Sequence, residues 1–71
     1  MGMARTVKVL LAAREMTQKD LAERLGMAPQ NLSRKMKADN FSERDLDAIA
    51  AACGATFKGG FILSDTGTEI W

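Results

Sequence analysis

Residues 17–37, TQKDLAERLGMAPQNLSRKMK, constrain this chain more than any other stretch. They hold two short runs of helical periodicity on either side of Gly26. Leu21, Ala22 and Leu25 share one face of the first run, and Leu32 and Met36 share one face of the second. Gly26 must end the first run, because a residue without a Cβ adopts the left-handed conformation that a tight turn requires. Pro29 begins the second, where its fixed φ suits a first helical position and its missing N–H has no partner to lose. Ala22 is small enough to let a neighbouring helix approach. The opposite face of the second run carries Pro29, Gln30, Ser33, Arg34 and Lys37, a polar and basic surface.

The flanks extend the same texture. Met3, Val7, Leu10 and Leu11 recur at helical spacing from Met3 to about Arg14, giving a first amphipathic helix. Thr17 with Asp20 forms a shortened capping box, and Met16 with Leu21 a hydrophobic staple, so two signals agree on where the second helix starts. The third helix runs from Pro29 to about Lys37. After Ala38-Asp39-Asn40, Ser42 with Asp45 and Phe41 with Leu46 repeat cap and staple. A fourth helix then extends from about Glu43 to Cys53, burying Leu46, Ile49, Ala50 and Cys53 and stopping at Gly54.

Beyond Gly54 the period changes to two. Phe57, Phe61 and Leu63 fall on one side of residues 56–63, with Thr56, Lys58 and Ile62 on the other. Ser64-Asp65-Thr66-Gly67 is turn chemistry, and Thr68 to Trp71 is a short terminal strand. The reading is a C-terminal β-hairpin over residues 55–71 attached to a helical region over 1–54, one domain overall. Gly59-Gly60 marks either a bulge or the turn itself. An isolated hairpin is marginal in water and leaves an unpaired edge. Phe57, Phe61, Leu63, Ile70 and Trp71 are therefore expected to pair with a second subunit; the rival is a hairpin packed only on its own helices.

Charge divides along the chain. Residues 1–37 hold eight basic and three acidic side chains, a net of +5, whereas residues 38–71 hold two basic and six acidic, a net of −4. Such asymmetry points to an anionic partner for the first half. At 46% apolar and 27% charged the composition is that of a soluble globular domain, with no apolar stretch long enough to span a membrane. The single Cys53 makes no internal disulfide, which suits the cytoplasm, and is read as a small buried apolar residue. There is no histidine, no glycine-rich phosphate loop and no Cys/His cluster, so an enzyme, a metal site and a cofactor are not expected.

Two short helices about a glycine turn, the second polar and basic outside, form the layout of a helix-turn-helix. The sequence resembles the phage repressor and Cro-like, or Xre, family over residues 10–54. The resemblance rests on Thr17-Gln18, Leu21-Ala22, Leu25-Gly26 and the run Gln30-Asn31-Leu32-Ser33. It implies a mainly α, four-helix lambda-repressor-like domain that binds operator DNA as a homodimer, with Cro-type members pairing through C-terminal strands. Two positions depart from the pattern: Ala28 stands where a Ser or Thr cap is common, and Lys35 where an apolar residue is common, with Met36 taking over its packing.

The third helix is then the one that enters the major groove. Gln30 and Asn31 carry amides suited to adenine, Arg34 a fork suited to guanine, and Ser33 a weaker reader. Phosphate contacts are expected from Gln18, by resemblance, and from Lys19, Lys35, Lys37 and Asn40, which set affinity and register rather than sequence. The function expected is sequence-specific binding of double-stranded DNA by a small transcriptional regulator, a repressor acting by occupancy. The alternative is a protein-interaction or antitoxin-type module whose main partner is another protein. RNA is a poor third, since the chain lacks tyrosine and a cluster of exposed aromatics.

Overall fold

The computed structural model describes residues 2–71. Four helices come first: α1 (Ala4–Ala13), α2 (Gln18–Leu25), α3 (Pro29–Ala38) and α4 (Glu43–Ala52). Three short strands follow, β1 (Ala55–Phe57), β2 (Phe61–Leu63) and β3 (Glu69–Ile70), in one antiparallel sheet of order β1-β2-β3.

Local chemistry explains the helix limits. Thr17 Oγ1 accepts from the Asp20 N–H at 3.1 Å while Asp20 Oδ2 accepts from the Thr17 N–H at 3.0 Å, closing the capping box that starts α2. Gly26 ends the helix at φ 70°, ψ 30°. The Met27 N–H then donates to the Ala22 carbonyl at 3.0 Å, so the chain leaves α2 through a Schellman turn. Ser42 and Asp45 build the same box at α4. α3 has no side-chain cap, only Pro29 in its first turn.

Helix α1 shows what periodicity alone did not indicate. Its N-terminus is capped from outside: Asp39, at the end of α3, accepts the Ala4 N–H through Oδ1 at 2.7 Å. Asp39 holds a left-handed φ of 52°, an uncommon state for a residue with a Cβ. That conformation closes α3, with the Asn40 N–H reaching back to the Lys35 carbonyl at 3.3 Å.

The C-terminal region is a three-stranded meander rather than one hairpin. Gly59-Gly60 is a turn, with Gly59 at φ 74° and the Lys58 N–H donating to the Gly60 carbonyl at 2.8 Å. The register pairs Ala55 with Leu63, Thr56 with Ile62 and Phe57 with Phe61, and then Phe61 with Ile70 and Ile62 with Glu69. Phe57 and Phe61 are direct cross-strand partners, so they share a face; their rings lie 5.2 Å apart, centre to centre. Partners four residues apart preserve the alternation through the turn. That parity made two strands look like one.

Helices and sheet enclose a single core. Val7, Leu10, Leu21, Leu32, Ile49 and Phe61 are its fully buried large side chains, so β2 supplies Phe61 to a centre otherwise made by all four helices. Leu63 and Ile70 are also buried there. Phe61, Leu63 and Ile70, three of the residues expected to pair with a second subunit, thus have their side chains packed within their own chain. Phe57 is half-buried and Trp71 is 69% exposed. Trp71 lies over Gly60, where an added Cβ would stand 2.5 Å from the indole, and its Nε1 donates to Glu69 Oε1 at 3.1 Å.

Candidate nucleic-acid interface

Leu32 and Met36 seat α3 in the core, with Leu32 fully buried and Met36 nearly so. Because they lie four residues apart, everything about half a turn away from them must face solvent. Gln30, Asn31, Arg34 and Lys37 are indeed exposed and Ser33 is half-buried. Pro29, Gln30, Ser33, Arg34 and Lys37 line one shallow depression on the outer surface. Asn31 and Arg34 continue around the helix to a second, which Asn40 borders. Gln18 is half-buried and Lys19 exposed, both in the first turn of α2.

Lys35 is placed differently from the other cations of α3. It is half-buried, and its Nζ donates to Asp45 Oδ2 at 3.1 Å. The Asp45 carboxyl is held below the usual carboxylate range, first by the Ser42 N–H and then by Lys35, against an opposing cost of burial. No short-range pattern joins residues ten apart on different helices, so only the assembled fold reveals this pair.

Two more cations bond to other parts of the chain at its surface. Arg14 donates from Nε to the Cys53 carbonyl at 2.8 Å and from Nη2 to the Gly54 carbonyl at 2.9 Å. It also forks onto both oxygens of Asp65, at 3.0 and 2.8 Å. Arg24 Nη1 donates to the Ala52 carbonyl at 3.0 Å. Both guanidiniums therefore meet carbonyls at the C-terminal end of α4, where a helix accumulates partial negative charge. Arg5, Lys8, Lys19, Arg34 and Lys37 form no ion pair among the described residues. Three of those five lie on α2 and α3, so the positive charge left to solvent includes the surface of this helix pair.

Cys53 is buried, and burial pushes its thiol up, away from the reactive thiolate. Among the described residues no group of His, Cys, Asp and Glu could hold a metal ion. Among the described residues no helix is long and apolar enough to cross a membrane.

What remains is a helix pair joined at Gly26, with the second member presenting amides and a guanidinium on a rigid, apolar-backed rod. Such a rod fits the major groove, which is about 12 Å wide. Comparison with curated proteins and with solved structures finds no match. A family model described as the Cro/C1-type HTH DNA-binding domain does match, over residues 6–58, which takes in all four helices bar the first residues of α1, and β1 as well. The chain belongs to the Cro/C1-type helix-turn-helix DNA-binding family.

Proposed function

We propose that this protein is a transcriptional repressor that binds its operator as a homodimer and inserts α3 into the major groove of each half-site. One observation carries the reading: a rod backed by buried Leu32 and Met36 turns Gln30, Asn31, Ser33 and Arg34 outward together. Gln30 and Asn31 read adenine, Arg34 reads guanine one turn further on, and Ser33 assists. Gln18, Lys19, Lys37 and Asn40 hold phosphates and set the register. Two copies of α3 would meet half-sites about 34 Å apart. Phe57, Trp71 and the backbone edges of the sheet are the surfaces offered to the second subunit. Repression follows from occupancy of the operator.

Selection of bound duplexes from a random pool, with the mass of the free and bound protein measured in the same buffer, tests partner and symmetry together. Gln30→Ala should then weaken preferred sites by about 1–3 kcal/mol while sparing scrambled DNA. Lys37→Ala should weaken both alike and make the dependence of log affinity on log salt shallower by about 0.9. Equal losses on both duplexes from the Gln30 change, or a selected site without two-fold symmetry bound by one copy, would contradict the reading.

A further inference from the structure

Lys35 sits between the two functions of α3. It is absent from the depression that Gln30, Ser33 and Lys37 line and borders the neighbouring one beside Asn31, Arg34 and Asn40, and its ammonium turns from there across the cleft between α3 and α4 to Asp45. Leu25, Met27, Leu32, Phe41 and Ile49 line that cleft. The carboxylate that receives Lys35 does not swing freely. Asp45 Oδ2 also accepts the Ser42 N–H at 3.0 Å, and the Asp45 N–H donates to Ser42 Oγ at 3.1 Å, so the acceptor is tied to the first turn of α4. The two side chains retain 40% and 30% of their exposure, which leaves the pair partly shielded from water and salt.

We propose that Lys35 is a positioning residue: its bridge to Asp45 sets the rotation of α3 relative to α4 and so aims Gln30, Asn31 and Arg34 at base edges, while leaving phosphates to other cations. The inference rests on the DNA-reading role of α3 proposed above. Lys35 follows Arg34 directly on a rigid helix, so any rotation that alters the bridge swings Gln30 and Arg34 with it. Bidentate contacts to bases tolerate little misalignment, whereas a phosphate is held by a point charge that can adjust. Moving Lys35 to a phosphate would also strand the Asp45 carboxylate without its cation beside incoming negative charge. Loss of the bridge therefore degrades discrimination and leaves the counterion count unchanged.

The test uses the full chain with Lys35→Met and, separately, Asp45→Asn, whose amide oxygen still accepts the Ser42 N–H but lacks the negative charge that holds the Lys35 ammonium. Affinity for a selected duplex and for its scrambled counterpart is measured over a salt series, with circular dichroism melts on the same samples. Both variants should lose about three- to tenfold of the preferred-to-scrambled ratio at an unchanged salt slope, and the double variant should be no worse than Lys35→Met alone. Equal weakening on both duplexes by Lys35→Met, with a slope shallower by about 0.9, would make Lys35 a phosphate ligand and overturn the inference. So would an unchanged ratio in both variants. If Lys35→Met does not fold, Asp45→Asn decides: a lost ratio at constant slope supports the bridge, and a steeper slope with an intact ratio overturns it. Failure of the wild-type chain to prefer any duplex would instead defeat the proposed function, and this inference with it.

Discussion

Arg14 joins three parts of the molecule through one guanidinium, reaching two carbonyls at the end of α4 and the Asp65 carboxylate before β3. Its planar fork is what allows it, since an ammonium has no fixed pair of parallel donors. Arg14→Ala should lower the melting temperature, and Arg14→Lys should recover little of the loss; a lysine variant melting with the wild type would show that charge alone suffices. Gly60 makes a different demand. An added Cβ would stand 2.5 Å from the Trp71 ring and 2.9 Å from the Ile70 carbonyl, and only the ring has room to leave. Gly60→Ala should cost about 1–3 kcal/mol and displace the indole. Trp71 is the one tryptophan of the chain, so its fluorescence reports the displacement directly, alongside the denaturant midpoint.

Among the elements, α2 and α4 begin with complete capping boxes and α3 does not. Ala28 already has the extended backbone of an N-cap, φ −68° and ψ 140°, and lacks only an oxygen to offer. Ala28→Ser should therefore stabilise the protein by about 0.5–2 kcal/mol, read as a higher denaturant midpoint at unchanged slope. No gain would mean that the first turn of α3 already finds other acceptors. Capping boxes, the Gly26 turn and the apolar faces of all four helices were legible because their partners lie within about four residues of each other. The external cap on α1 was not, since Asp39 is 35 residues from the N–H it accepts. The sheet was legible in part, with Gly59-Gly60 read as either a bulge or the turn: Phe57, Phe61 and Leu63 keep the same parity on both sides of it, so a period-two pattern runs on through a reversal of direction.

Across the whole molecule the two electrical halves are stitched together. Arg14 to Asp65 and Lys35 to Asp45 both join the basic first half to the acidic second. Asp20, Asp45 and Asp65 are each held below the ordinary carboxylate range: by the Thr17 N–H, by the Ser42 N–H and by the Arg14 guanidinium, respectively. A carboxylate whose folded pKa is depressed stabilises the fold above its unfolded value and loses that contribution as pH falls through the folded one. The melting temperature should therefore change little on account of these groups from pH 7 to about 5, and fall below about pH 4. Asp65→Asn should melt lower at pH 7 and show a smaller acid-induced drop, measured by circular dichroism at a series of pH values. An identical acid drop in that variant would remove Asp65 from the set.

The order of residues already prescribes where helices start and stop, which faces turn inward and which end of the chain is basic, because these follow from contacts within a turn or two. It also suffices to resemble a family, since Thr17-Gln18, Leu21-Ala22 and Leu25-Gly26 lie inside one supersecondary unit. The allocation of charge is another matter. Arg14, Arg24 and Lys35 look no different in sequence from Arg34 and Lys37, yet the first three are bonded within the fold and the last two face solvent with no ion pair among the described residues. Their partners come from elements up to 51 residues away, and a cation becomes structural or available for DNA only when folding brings a carbonyl or carboxylate within reach.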